Sequence, residues 1–437
     1  MHKQAPLLTI LLLYLLLGAL FALYTPDWQA PDEPAHYNYV RQLAAGALPV
    51  MEAGDYDQAY LTEVVFEAGF APHYDLTPIE YEDWQPPLYY LLQTAVFRLT
   101  DGSLLAMRLF SLLLGAGVVA LAYVTMLRLA PAQPWLALTT AVFVAFLPQH
   151  LAILASVNND ALAELLIAAV LFNLIELNQT PPAPAPPRRL ALIGILLGLG
   201  LLTKGTVYPL TAVVGLALLL RFWGDWRALL PAGLRVFTPA ALLGGLWWGR
   251  NLVVYGGLDL LGKAAHDAVV VGQPRTVEWV ALYGLGGALQ RFVQTTFNSF
   301  WGQFGWMTVP MTHPAWLYPL LWLFSAVVVA GLLLRAARRR TEPRLAPRQL
   351  LILLALFLLT LSVHAGYNLT FVQHQGRYLF PALIPIGVGV ALGLEAWIRP
   401  LLDRSPKTAY LLPVSLAAAL IALNLFAIFR VIIPALA

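Results

Sequence analysis

Eleven apolar stretches recur from one end of the chain to the other, and they decide what it can fold into. They lie near 7–24, 103–127, 134–154, 161–177, 190–203, 206–222, 236–255, 315–335, 349–366, 378–398 and 409–430. Most approach the ~20 apolar residues that cross the hydrocarbon core of a bilayer as a helix. Only 11% of the 437 residues are charged and 59% are hydrophobic, with a mean hydropathy of +0.71. A soluble domain carries about 25% charged residues, so this chain cannot clothe a water-facing surface. It reads as an all-α integral membrane protein with about eleven transmembrane helices, and the same composition excludes disorder. The pair 190–203 and 206–222, interrupted by Lys204-Gly205, also fits a bent hairpin that does not fully cross. Residues 7–24 resemble a secretory signal but read as a retained first helix.

Charge is segregated along the chain. With the N-terminus in the cytoplasm, 16 of the 26 Lys and Arg fall inside, among them Lys3, Arg128, Arg188, Arg189 and the cluster from Arg335 to Arg348. That satisfies the positive-inside rule, and the opposite topology would expose the RAARRR cluster outside. By contrast, 13 of the 23 acids lie between Asp27 and Asp101, in a long first outer loop at about 25–102. A second outer loop runs over about 256–314 and is rich in aromatics. Cytoplasmic loops are short, and Pro-rich 181–187 reads as a stiff linker. The organisation expected is therefore a 1–255 transmembrane module with its first outer loop, the second outer loop at 256–314, and C-terminal helices at 315–437. No basic run of the nucleic-acid-binding kind is present. The chain has no Cys, hence no disulfide framework or thiolate metal site. Walker, G-x-S-x-G and H-E-x-x-H motifs are also absent from the sequence.

Structured mass on the outer side suits an enzyme at the membrane surface, and several polar motifs sit there. Pro31-Asp32-Glu33-Pro34-Ala35-His36 follows the first span. A helix over about 33–45 should stop at Gly46, with His36, Val40 and Leu43 on one face. Asp32 is either that helix's N-cap or a general base at the membrane surface, with Glu33 and His36 beside it. Gln85-Pro86-Pro87-Leu88-Tyr89-Tyr90 starts a second helix over about 87–99, too short to span. Asn158-Asn159-Asp160 opens the fourth span, with Glu164 one turn deeper. Lys204, between two apolar stretches, either snorkels or neutralises a lipid phosphate. Arg250 and Arg377 lie on the outer side against the positive-inside bias, as anionic-headgroup contacts or as helix anchors. Ser299–Trp306 reads as an aromatic stretch at the interface. The histidines have no tight metal-ligand spacing; only His36, Asp32 and Asp160 could gather a cation, and no metal or cofactor is expected.

Taken in order, these features resemble the GT-C superfamily of integral-membrane glycosyltransferases. The residues that carry the resemblance are the Asp32-Glu33 pair after span one, the PPLYYLL helix from Pro86, Asn159-Asp160 opening span four, Leu202-Thr203-Lys204-Gly205, and Gln375-Gly376-Arg377-Tyr378. The nearest groups are the bacterial relatives of protein O-mannosyltransferases and of lipid A aminoarabinose transferases, over about 1–255 and again at 374–386. The resemblance implies transfer of a sugar from a polyprenyl-phosphate carrier to an acceptor (glycan, lipid or protein) on the extracytoplasmic side, with inversion at the anomeric carbon. It implies Asp32 as the base, Asp160 at the same cavity, Lys204 between spans five and six, and Arg377 and Tyr378 near the lipid phosphate, with Gln375 alongside. Two positions depart from the pattern. Gln85 stands where relatives often place Lys or His, and Ala35 where some have Arg, so carrier binding should lean on Lys204, Arg250 and Arg377. The competing expectation is a transporter or flippase of a lipid-linked saccharide, using the same cations without chemistry; the absence of an obvious inverted repeat weighs against it. A scaffold that has lost activity is the third.

Overall fold

The computed structural model describes residues 5–179, 186–338 and 345–436. Most of the 181–187 linker, the centre of the 335–348 basic cluster and Lys3 lie outside the described residues.

The first apolar stretch forms α1 (Ala5–Tyr24). The long loop that follows it carries α2 (Glu33–Ala45), the short α3 (Gln58–Leu61), which continues as a π-turn over Thr62–Glu67, and α4 (Leu88–Leu99). Local chemistry fixes the ends of α2. Pro34 suits its first turn, and Gly46 takes a left-handed φ of 94° that returns its N–H to the carbonyls of Gln42 and Leu43. α4 begins directly after Pro86-Pro87, as the prolines require. A run of helices follows: α5 (Leu104–Leu129), α6 (Pro134–Phe146), α7 (Pro148–Leu154), α8 (Asp160–Leu177), α9 (Pro187–Leu201), α10 (Leu210–Arg221) and α11 (Trp226–Val254). The second long loop, over about 256–314, holds α12 (Lys263–Val269), α13 (Thr276–Trp301) and a two-stranded antiparallel ribbon of β1 (Gln303–Phe304) with β2 (Val309–Pro310). Then come α14 (Leu317–Ala337), α15 (Pro347–Tyr367), a 3₁₀ turn over Gly376–Ala382, α16 (Leu383–Arg404) and α17 (Leu411–Phe426).

Every one of the eleven apolar stretches is helical, but fewer qualify as spans by length and composition. Among the described residues seven helices are long and apolar enough to cross a membrane, and the pair α6–α7, bent by 63° at Leu147-Pro148, makes an eighth. The other three are α8, which carries Asp160, Glu164 and Glu176, and α9 and α10, with 15 and 12 residues. α8 tolerates three acids because most of it faces protein rather than lipid, with Ala161, Glu164, Ile167 and Leu171 all buried.

The core is centred on α6, which is buried from Trp135 to Phe146. Its neighbours come from both ends of the sequence, with residues of α1, α5, α16 and α17 in the same apolar cluster. Thus 315–437 shares one core with 1–255. Where helices meet most closely, glycine permits it: a Cβ on Gly194 of α9 would lie 2.1 Å from the Val236 carbonyl oxygen of α11. Small residues drive such approaches in a bilayer, where lipid is as apolar as leucine.

Candidate active site

Asp32 does not cap α2. Its side chain makes no hydrogen bond to the helix N-terminus, and its backbone is left-handed, at φ 66° and ψ −1°. Non-glycine residues seldom adopt that region, though Asp tolerates it better than most. The turn aims the carboxylate away from the helix. Oδ1 accepts a hydrogen bond from the Tyr81 hydroxyl at 2.9 Å, and Oδ2 forms an ion pair with Nη2 of Arg377, 345 residues on. Burial works to raise the carboxyl pKa. The Arg377 charge and the hydrogen bonds from Arg377 and Tyr81 outweigh it, and the group is held below its ordinary value as a carboxylate.

A second ion pair stands close by. Lys204 Nζ lies 2.7 Å from Asp160 Oδ1, with both side chains largely buried. Lys204 occupies the extended break between α9 and a 3₁₀ turn over Gly205–Val207, and Asp160 is the first residue of α8. Lys204 therefore does not snorkel. His36 stands in the field of Lys204, Asp32, Asp160 and Arg377 together, which puts all five groups in one electrostatic cluster. Burial is the largest influence on His36 and Lys204 adds to it, so its pKa falls to about 3 and the ring is neutral at physiological pH. Its Nδ1 is 2.9 Å from the Tyr90 hydroxyl, which also receives Asn159 Nδ2 at 3.1 Å. Which of Nδ1 and the Tyr90 hydroxyl donates to the other depends on the tautomer of the ring.

Tyr81 and Glu82 went unnoticed in the sequence. The available signal was the acidic run Glu80, Glu82, Asp83 immediately before Gln85-Pro86-Pro87. Glu82 is pushed up to about 8, first by burial and then by the nearby Asp32 charge. One donor atom each from Asp32, His36 and Glu82 lie within 4.8 Å of one another. Two carboxylates and an imidazole are ligands that suit zinc or manganese, and Glu82 Oε2 is buried without a hydrogen-bond partner among the described residues. The same holds for Arg377 Nε and Nη1, Gln85 Oε1, Gln375 Oε1, Asn158 Nδ2 and Asn159 Oδ1. Such buried atoms are the groups that a polar ligand satisfies.

Other residues singled out in the sequence lie elsewhere or do other work. Glu33, expected beside Asp32 as a substrate contact, points into the protein. Its carboxylate pairs with Arg108 at 2.8 and 2.5 Å and accepts the Val157 N–H at 3.1 Å. Arg250 was expected to grip the carrier, but its guanidinium is occupied. It bonds the Pro49 carbonyl and Asn251 Oδ1 and lies over the rings of Trp247 and Tyr255, tying α11 to the first loop. Gln375 donates to Gln373 Oε1 at 3.2 Å, and Tyr378 lies under the Arg377 guanidinium at 5.6 Å. Glu164 is paired with His150 at 2.7 Å inside the bundle. The Ser299–Trp306 stretch does not float at the interface, since Ser299, Trp301 and Phe304 are buried. Packing of Trp301 against Phe143 and Phe324, and of Phe304 against Phe21, draws these aromatics inside.

Comparison with known proteins places this architecture. Residues 71–385 match the family described as "Predicted membrane protein (DUF2142)". The chain belongs to the DUF2142 family. No curated protein sequence matches it. Among solved structures, this DUF2142 protein is similar to ArnT from Cupriavidus metallidurans bound to undecaprenyl phosphate. The identity is 15% and the TM-score 0.54, over 98% of this chain and 73% of ArnT. It is also similar to the Archaeoglobus fulgidus oligosaccharyltransferase in its apo form, at 14% identity and a TM-score of 0.52, over 98% of this chain and 55% of that one. The form of that enzyme complexed with zinc and sulfate gives 15% and 0.50, over 92% and 53%. Both neighbours are GT-C glycosyltransferases. The DUF2142 chain is thus a multi-pass membrane protein with the GT-C fold.

Proposed function

We propose that the protein is a glycosyltransferase that moves a sugar from a polyprenyl-phosphate carrier to an acceptor hydroxyl on the extracytoplasmic side, with inversion at the anomeric carbon. The observation that carries this reading is the Asp32 carboxylate, turned away from its helix by a left-handed backbone and paired with Arg377 next to the Lys204–Asp160 pair. ArnT, whose fold is similar, binds undecaprenyl phosphate.

The chemistry follows from the groups present. Asp32 takes the proton of the acceptor hydroxyl, which requires an approach to roughly 2.6–3.2 Å. The acceptor oxygen forms a bond to the anomeric carbon as the bond from that carbon to the phosphate oxygen breaks. The electron pair leaves with the polyprenyl phosphate. Arg377 and Lys204 offset the charge that grows on that phosphate, an effect strengthened by their burial. Each cation is held by a carboxylate until the donor arrives, so the phosphate competes with Asp32 for Arg377 and releases the base. Asp32, His36 and Glu82 would hold a divalent cation if one binds, and it would supply further positive charge beside the phosphate. The acceptor site draws on the first outer loop of the 1–255 module, while Arg377 comes from the 315–437 helices. On this reading the N-terminus lies in the cytoplasm and the site outside, which is the orientation that the positive-inside rule favours.

Purified protein given a polyprenyl-phosphate sugar and an acceptor should release free polyprenyl phosphate. Asp32→Asn should abolish that release and leave the protein monodisperse. Full activity of Asp32→Asn refutes the base assignment. Movement of the lipid-linked sugar across vesicles without any release would instead establish a flippase.

A further inference from the structure

The Ser299–Trp306 stretch reaches both members of the Asp32–Arg377 pair. At one end Ser299 Oγ accepts the Gly376 backbone N–H at 2.7 Å and donates to the Thr295 carbonyl at 2.6 Å. Gly376 lies directly on α13: a Cβ there would stand 2.3 Å from Phe300 N and 2.4 Å from Thr296 O. Only glycine fits, and the reason is space, since the atoms it meets are backbone that cannot rotate away. The next residue is Arg377. At the other end Trp306 Nε1 donates to the Trp28 carbonyl at 3.0 Å, in the segment that joins α1 to Asp32. The stretch between the two ends is itself pinned. The Gln303 N–H donates to Gln149 Oε1 at 2.8 Å, the Tyr318 hydroxyl donates to the Gly302 carbonyl at 2.7 Å, and β1 pairs with β2.

We infer that Ser299–Trp306 is a positioning strap that fixes Arg377 relative to Asp32. It is built from the second long loop, and among the described residues the side-chain partners of Asp32 and Arg377 are Tyr81, Tyr378 and each other, outside the stretch. This inference rests on the reading of Arg377 as the phosphate grip and Asp32 as the base. Under that reading the two ends of the strap act on different steps. The Ser299–Gly376 end sets carrier affinity through Arg377, and the Trp306–Trp28 end sets the chemical step through Asp32.

The full-length protein in lipid nanodiscs tests this with two readouts, the Kd for undecaprenyl phosphate and the steady-state transfer kinetics. Ser299→Ala leaves the buried Gly376 N–H without an acceptor and lets the 3₁₀ turn shift. It should weaken undecaprenyl phosphate binding about tenfold with kcat changed less than about threefold, and Ser299→Thr, which keeps the hydroxyl, should restore most of the affinity. Trp306→Phe should do the reverse, with Kd unchanged and kcat lowered about tenfold by a misplaced base. Wild-type Kd in Ser299→Ala, or unchanged kcat in Trp306→Phe, overturns the strap. Trp306→Phe is the milder change and decides the matter if Ser299→Ala does not fold. Full transfer by Asp32→Asn refutes the base assignment alone, because the Ser299→Ala binding result still judges the Arg377 end. A wild-type protein that does not bind undecaprenyl phosphate overturns both.

Discussion

Removing Arg108 should cost the protein more stability than removing any surface cation. Its guanidinium makes five hydrogen bonds: two to Glu33, at 2.8 and 2.5 Å, and three to the carbonyls of Ala22, Thr25 and Pro26, at 3.0, 2.8 and 3.1 Å. Arg108 and Glu33 are 2% and 0% exposed, so neither charge is eased by water. Breaking a buried ion pair from one side leaves the other charge uncompensated, which costs about 3–5 kcal/mol. Arg108→Met keeps the aliphatic bulk and removes the charge together with the three hydrogen bonds to the Ala22, Thr25 and Pro26 carbonyls. A second change, Glu33→Gln, made on top of it removes the stranded charge and should recover part of the loss, whereas exposed pairs show couplings of only ~0.2–1 kcal/mol. The measurement is the temperature at which the monodisperse peak is lost in detergent, for wild type, both single variants and the double variant. Because Asp32 is the residue before Glu33, catalytic activity should fall in parallel in Arg108→Met. A wild-type melting temperature for Arg108→Met, or a double variant destabilised relative to wild type by the full sum of the two single variants, refutes the reasoning.

Further outcomes follow from the site. Tyr81→Phe removes one of the hydrogen bonds that hold the Asp32 carboxylate and should lower kcat roughly ten- to hundredfold, the size of a hydrogen bond to a charged group; unchanged kinetics would show that Arg377 alone holds the carboxylate. Lys204→Gln should raise the KM for the lipid-linked donor about ten- to hundredfold, the size of a charge-assisted contact, and an unaltered KM would place the phosphate elsewhere. Asp83 supplies a pH test outside the membrane. Burial is the main cause that pushes its carboxyl up to about 8, with Gln42 donating to Oδ2 at 2.7 Å. Between its unfolded value near 4 and about 8 the folded state binds the extra proton, so stability contributed by Asp83 is complete at low pH and is lost as pH rises through about 8. Asp83→Asn should flatten the fall in melting temperature between pH 5.5 and 8.5, on the order of three pH units; an unchanged slope rules the group out.

Much of the fold could be read directly because its signal is local. The apolar stretches, the limits of α2 at Glu33 and Gly46, and the start of α4 after Pro87 all follow from composition, proline geometry and a left-handed glycine. The count of spans was less legible. Hydropathy registers the apolar character of α8, α9 and α10 but not whether neighbours enclose them, which is what lets α8 carry Glu164 opposite His150. The site was legible in its residue types and illegible in its pairings. Asp32, Asp160, Lys204 and Arg377 stood out as charges in apolar company. Whether Glu33 or Glu82 joined Asp32 depended on which way a turn of chain directed each carboxylate. Asp32 and Glu33 are adjacent in sequence, yet one points to Arg377 and the other to Arg108.

The sequence by itself determined that this chain lives in a membrane as helices, with most of its acids in one long loop after the first helix, because hydrophobic burial and backbone hydrogen bonding in lipid depend on composition over windows of about 20 residues. Only the tertiary structure decided which charges meet. An ion pair forms over a few ångströms, and the distance between residues 32 and 377 in space is set by every helix packed between them.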